Sequence, residues 1–366
     1  MEQFRKVLVL YVGGTIGMQQ NDKGALIPIP NAFLQKIKYH SEMHDAEKAK
    51  KYFRALKENE LILPPFRATG INTVIYELIE YSPLLDSSNM STKEWVRIAT
   101  DIGRNYNKYD GFVVLHGTDT MAYTSSVLSF MMEGLQKPVI ITGSQIPIFE
   151  TRSDAKDNVL SSLIIAGCYN IPEVCVFFAN KLLRGNRTAK ISSDDLDAFD
   201  SPNYHTLVDV GINMKINHHH IRKVDDSVHF KLHTNLNSKV VLLSFFPTIT
   251  REMLQSYLKP PTQGIVIQSY GAGNLPSNRP DILQVLREAV EREILVINVT
   301  QCARGAVSNS YECGMVLEMI GLTSGRDMTV EAALTKLMYV LGLPELTYLQ
   351  RVELMKTDLR GEITNT

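Results

Sequence analysis

The sequence predicts an α/β fold, with a larger N-terminal domain on a mainly parallel sheet and a smaller C-terminal parallel α/β domain. Three observations carry that expectation. Short β-branched runs alternate with longer helical stretches along the chain. Several of those runs are continuously apolar, as strands covered on both faces are. At 366 residues the chain has room for roughly two domains, and the polar, His- and Asp-rich stretch 211–237 breaks the apolar pattern between them. Residues 213–236 are therefore expected to link a domain over 1–212 to one over 237–366 and to carry a short hairpin.

The elements follow in order. Val7–Val12 is a strand that runs into Gly13 and Gly14, and Val74–Glu80 is the next. Ser91 with Glu94 three residues on forms a capping box at the head of a helix over Thr92–Asn107. Gly111–Leu115, Val139–Thr142 and Val174–Phe178 are strands, separated by helices over Ala122–Leu135 and Asp154–Cys168. Beyond the link, strands are expected over Val240–Phe245, Gly264–Ser269 and Leu295–Val299, with helices over Ile282–Arg292 and Val330–Leu341. Ligands of such sheets bind at the carboxyl ends of the strands. The loops after Val12, Leu115 and Ser269 are the places to search.

Composition removes several function classes. Thirty-eight basic against 39 acidic residues argue against a dominant surface for nucleic acid or an anionic membrane. The opening apolar run is only Val7–Val12 and does not read as a signal peptide, and no run approaches the about 20 residues of a membrane span. Cys168, Cys175, Cys302 and Cys313 form no CxxC pair and suit four free thiols in a cytoplasmic protein. The tract His218–His220 is read as a polar surface link, because consecutive residues rarely converge on one metal ion.

Two segments could carry chemistry. Val9–Val12 leads into Gly13-Gly14-Thr15, where glycine permits a sharp turn and close approach of a ligand. A dinucleotide loop fails there on spacing. Taken alone, the segment reads as a tight turn with an incidental threonine. Val113–Leu115 leads into His116-Gly117-Thr118-Asp119, placing Thr118 and Asp119 before a helix whose N-terminus favours negative charge. Helix capping is the structural reading of that pair, but capping alone is the lesser one, because a strand end with Gly-Thr-Asp is also where a ligand sits. His116, at the end of an apolar strand, is read as a satisfied buried histidine. A threonine hydroxyl needs a base or a proton relay. Lys190 in the loop Arg184–Lys190 is a candidate, although such loops are more often surface. A Thr118–Asp119–Lys190 group can orient protons as readily as remove one, since Asp119 would stabilise the ammonium.

The two Gly-Thr segments together resemble the L-asparaginase/glutaminase family of threonine amidohydrolases. The resemblance continues through Asp86-Ser87-Ser88-Asn89-Met90, Asn186–Lys190, Asp197–Phe199, Ser201–Asn203, Ser269–Asn274, Thr300–Cys302 and Asp358–Glu362, covering nearly the whole chain. It is nearest to the cytoplasmic, type I branch with its animal members. It implies that Thr15 is the nucleophile and that Thr118, Asp119 and Lys190 form a second hydroxyl relay. It implies that Asp119 holds the substrate's α-ammonium and Ser87 its α-carboxylate, helped by Asp86, Ser88 and Gly117. No tyrosine lies between Ile16 and Lys38, so the assisting tyrosine of the secreted branch is matched instead by Tyr311. Asn274 corresponds to a residue that reaches a neighbouring subunit's site, implying a homodimer or homotetramer.

The activity implied is hydrolysis of L-asparagine to L-aspartate and ammonia, with no metal or organic cofactor. Alternatives are a non-catalytic amino-acid sensor on the same fold, a nucleotide-binding dehydrogenase, or a hydrolase of another amide or ester such as glutamine or lysophospholipid. Binding alone would not require Thr15, Thr118 and Lys190 together. The chain also departs from the bacterial cytoplasmic members. It has Ala189 and Gln268 where they carry a threonine and an arginine of an asparagine effector site.

Overall fold

The protein is described by a computed structural model, which covers residues 4–52, 56–66, 73–223, 225, 227–308 and 312–364. Packing divides it into two compact units, one of residues 1–201 and 205–232, the other of residues 202–204 and 233–366.

The first unit is built on a nine-stranded sheet. Its strand order is Met214–Ile216, Val208–Val210, Lys181–Arg184, Val174–Phe178, Val139–Thr142, Gly111–Leu115, Phe4–Gly13, Thr73–Leu85 and Glu60–Ile62. The five strands from Val174–Phe178 to Thr73–Leu85 are mutually parallel. The flanking strands are antiparallel. Val7, Leu8, Leu10 and Tyr11 are fully buried, which is why this central strand is apolar without alternation.

Helices cover the sheet. Met121–Met131 buries every residue but Tyr123, so it has no polar face to betray it. Ala155–Cys168 lies against the strands through Gly167, whose missing side chain admits Val74 and Val7. Thr92–Asn105 begins with the expected capping box of Ser91 and Glu94.

One helix is shorter than its sequence suggests. The apolar pattern extends to Leu135, but the helix stops at Met131. Met132–Glu133 pairs instead with Lys231–Leu232, and Gly134 turns at φ 63° against the His229 carbonyl. Strand pairing therefore takes over from the helix at a residue that tolerates positive φ.

The second unit carries a four-stranded, fully parallel sheet in the order Val240–Ser244, Gly264–Ser269, Leu295–Thr300 and Thr323–Ser324. Helices Pro280–Glu291 and Val330–Leu341 accompany it, with the second spanning the expected residues. Asn203 ties residues 202–204 to this unit. Its amide donates to the Gly305 and Asp327 carbonyls at 3.0 Å, and its oxygen accepts from Gly305 N at 2.9 Å. Cys168, Cys175 and Cys302 are free thiols. Among the described residues no helix is long and apolar enough to cross a membrane.

Candidate active site

Four adjacent parallel strands end side by side: Val139–Thr142, Gly111–Leu115, Phe4–Gly13 and Thr73–Leu85. Their following loops hold Ser144 and Gln145, His116 to Asp119, Gly14 and Thr15, and Asp86 to Ser88. Two of the three loops singled out in the sequence, those after Val12 and Leu115, lie at this common end; the third, after Ser269, belongs to the second unit.

Glycines let three of these loops touch. Gly13 and Gly14 have φ values of 142° and 88°. A Cβ on Gly14 would strike the backbone of Gly117. A Cβ on Gly117 would lie 2.5 Å from Ser87 Oγ and 3.3 Å from Gly14 Cα. The Gly14 and Gly117 backbones and the Ser87 side chain are thus drawn within van der Waals reach, and Thr15 and Thr118 follow directly from the two glycines. Thr15 opens a short 3₁₀ turn, half buried, with Gly14 N bonded to the Leu85 carbonyl at 3.0 Å.

Thr118, Asp119 and Lys190 come together as the sequence suggested. Lys190 Nζ donates to Thr118 Oγ1 at 3.0 Å and to Asp119 Oδ1 at 2.7 Å. The Thr118 hydroxyl faces Gln145 Oε1 at 3.4 Å, a long contact. Thr118 is buried, Lys190 mostly so, and the Asp119 side chain is 62% exposed. The loop that delivers Lys190 is not a surface loop. Arg184, Asn186, Arg187 and Thr188 are buried. Ser125 Oγ donates to the Gly185 carbonyl, and Asn186 Nδ2 donates to Ser129 Oγ. These bonds fix the segment on helix Met121–Met131.

Ser87 is 2% exposed, and its hydroxyl has no partner among the described residues. Its carbonyl accepts from Thr120 Oγ1 at 2.7 Å, which anchors the Ser87 loop to the Thr118 loop. Asp86 caps the turn by accepting from Ser88 N at 3.1 Å.

His116 is buried and fully bonded, as read. Burial pushes its pKa down to about 4, against a hydrogen bond to Gly117 that raises it. Gln145 was not singled out in the sequence. The available signal was its place after the apolar strand Val139–Thr142. Asp154 carboxylate oxygens accept from Gln145 N and Ile146 N at 3.0 Å and hold this turn.

Two proposed residues belong elsewhere. Asn274 lies in the second unit, in a turn closed by Tyr270 N on the Asn274 carbonyl at 3.0 Å, and its Oδ1 is buried without a partner among the described residues. Tyr311 lies outside the described residues. Among the described residues no group of three His, Cys, Asp or Glu side chains is placed to hold a metal ion.

Comparison with known proteins gives a consistent result over both units. Residues 6–222 match the family model for the asparaginase N-terminal domain, and residues 239–351 match that for the glutaminase/asparaginase C-terminal domain. The chain is 46% identical over 360 residues to a mouse protein named 60 kDa lysophospholipase, covering 98% of this chain and 63% of that one. It is 45% identical over 358 residues to an L-asparaginase of Dirofilaria immitis, covering 98% and 60%. The chain therefore spans about three fifths of the length of these curated relatives. The crystal structure of L-asparaginase I from Vibrio cholerae superposes with a TM-score of 0.84 at 39% identity, covering 99% of this chain and all of that one.

Proposed function

The chain belongs to the asparaginase family, and on that premise we propose that it hydrolyses free L-asparagine to L-aspartate and ammonia through a Thr15 acyl-enzyme. The observation that carries this reading is the Lys190–Thr118–Asp119 group, set beside the Thr15 turn by the Gly14–Gly117 approach. A hydroxyl on a tight glycine turn and a second hydroxyl tied to a lysine suit covalent catalysis by threonine.

In this reading the Thr15 hydroxyl attacks the side-chain amide carbon and passes its proton to the departing ammonia. Water, oriented through Thr118 and Lys190, then cleaves the β-aspartyl ester. Backbone N–H groups at the strand ends stabilise the oxyanion. Asp119, exposed at the mouth, faces the α-ammonium. The Ser87 hydroxyl, buried and unpartnered, faces the α-carboxylate, with the Asp86–Ser88 turn and Gly117 shaping its place. Opposite charges met by a carboxylate and a hydroxyl donor define a free amino acid. Asn274 is assigned to a neighbouring subunit's site and Tyr311 to assisting Thr15, in a cytoplasmic homodimer or homotetramer.

A second reading follows from the name of the mouse relative: hydrolysis of a lysophospholipid ester by the same nucleophile. The test measures ammonia from L-asparagine and L-glutamine beside fatty acid from lysophosphatidylcholine, each with wild type and Thr15→Val. Thr15→Val keeps the fold and loses ammonia release by orders of magnitude. Near-normal ammonia release from the variant refutes the mechanism. Fatty-acid release without ammonia release moves the protein to the second reading.

A further inference from the structure

A chain of buried hydrogen bonds runs beneath the Thr118 turn and ends on its backbone. Trp95 Nε1 donates to Thr124 Oγ1 at 2.9 Å, and Thr124 Oγ1 lies 3.0 Å from His116 Nε2. His116 Nδ1 lies 2.7 Å from the Gly117 carbonyl oxygen. His116, Thr124 and Trp95 come from a strand end and two helices, and all three are buried.

The chemistry of the groups fixes the direction of the chain. A carbonyl oxygen only accepts and an indole N–H only donates. The Gly117 carbonyl therefore requires a proton on His116 Nδ1. In the neutral ring Nε2 then accepts, and the Thr124 hydroxyl supplies its hydrogen while its oxygen takes the Trp95 N–H. Burial keeps the ring neutral at ordinary pH.

Peptide planarity carries this order into the site. The Gly117 C=O and the Thr118 N–H share one plane and point in opposite directions. A carbonyl pinned to the buried ring turns the Thr118 N–H away from it, and no described residue accepts that N–H. The Thr118 N–H stands at the loop that touches Gly14, next to Thr15.

We propose that the Trp95–Thr124–His116 chain is a positioning device that aims the Thr118 N–H at the carbonyl oxygen attacked by Thr15. His116 is thus a positioning residue, acting through the Gly117–Thr118 peptide. The proposal rests on the asparagine reading given above.

Two substitutions separate this role from simple core filling. An asparagine amide can stand near the place of Nδ1 and keep the donor to Gly117. A glutamine reaches the place of Nε2 and leaves Gly117 without one. Both remove the ring, so a purely structural histidine predicts equal losses. The expected result is a fall in kcat for L-asparagine of about 10- to 100-fold in His116→Gln with KM little changed, just short of the about 10²–10³ lost with a whole oxyanion donor. His116→Asn is expected to keep kcat within about fivefold of wild type, since its donor remains. Equal kcat in the two folded variants, or a loss confined to KM, overturns the proposal.

Nitrogen NMR of wild-type protein labelled with ¹⁵N-histidine provides a readout independent of turnover. One buried ring should carry its proton on Nδ1 with Nε2 bare, and the opposite tautomer for His116 overturns the proposal even where His116→Gln does not fold. Wild-type protein that shows the expected tautomer but releases no ammonia refutes the substrate reading, and with it the catalytic purpose of the chain.

Discussion

Replacing Gly117 by alanine tests how tightly the site is built. Gly117 does not lie in the left-handed region, so alanine meets no backbone strain there and only space is at issue. The new Cβ would stand 2.5 Å from Ser87 Oγ and 2.8 Å from Ser87 Cβ, where ordinary contact begins at 3.4 Å. Rotating the hydroxyl relieves the first contact but not the second. The Ser87 loop must therefore retreat by about 0.6 Å at Cβ and up to about 0.9 Å at Oγ. Displacement on the order of 1 Å in a reacting assembly costs about 10²-fold, or about 2.7 kcal/mol of transition-state stabilisation. Overpacking should cost a further about 1–3 kcal/mol of stability. Steady-state ammonia release across L-asparagine concentrations, beside a urea unfolding curve, measures both. The expected variant is folded, with raised KM and kcat/KM down about 10²-fold. A folded Gly117→Ala enzyme with kcat/KM within about threefold of wild type would show that Ser87 does not bind substrate as argued.

Three further outcomes are expected. The rate against L-asparagine should be hyperbolic or nearly so, because Ala189 and Gln268 cannot supply the hydroxyl and the guanidinium of an effector site, removing much of the about 1–3 kcal/mol typical of allosteric coupling; a steep sigmoid contradicts this. Light scattering at micromolar concentration should report at least a dimer, since Asn274 is proposed to serve a neighbouring site, and an active monomer contradicts it. The third concerns Glu362, fully buried 2.6 Å from Lys336. Burial pushes its carboxyl up, but Lys336 and the amides of Leu359 and Arg360 together hold it below its ordinary 4.5. A carboxyl with a depressed folded pKa contributes stability above its unfolded value and loses it as pH falls through the folded value. Glu362→Gln should cost about 3–5 kcal/mol near pH 7, where the buried Lys336 keeps its bonds to the Met355 and Thr357 carbonyls but loses its carboxylate partner. That gap in urea midpoints should narrow below pH 4.5, and a gap independent of pH refutes the assignment.

Much of the fold was legible because its central strands are buried on both faces. Gly111–Leu115, Val139–Thr142 and Val174–Phe178 coincide with their apolar runs. Lys181–Arg184, Val208–Val210 and Met214–Ile216 were not read, since each has only three or four residues and is fixed by its partner strand rather than by periodicity. In the site, Thr118 and Asp119 were visible because Gly-Thr-Asp at a strand end before a helix is also where a ligand sits, whereas Thr15 alone read as an incidental residue of a tight turn and was singled out only through the family resemblance. The burial of Arg187 was not visible. A basic loop reads as surface until the buried helix Met121–Met131 is seen to receive it. Gln145 escaped because only the loops after Val12, Leu115 and Ser269 were searched, whereas the strand Val139–Thr142 ends beside Gly111–Leu115.

The Ser87 hydroxyl stands in contrast to the bonded groups beneath the Thr118 turn. A buried polar group without a partner costs about 1–3 kcal/mol, so native proteins hold few of them. Beneath the Thr118 turn His116, Thr124 and Trp95 satisfy one another, and Asp154 takes two backbone amides. The Ser87 hydroxyl, by contrast, is buried beside Gly117 without a partner among the described residues. Repacking Ser87 as alanine would remove that cost at no loss of fold. A hydroxyl kept there under that penalty fits the role proposed for it, a donor to the substrate's α-carboxylate. Ser87→Ala should therefore raise stability slightly while raising KM for L-asparagine, a trade that a purely structural serine would not show.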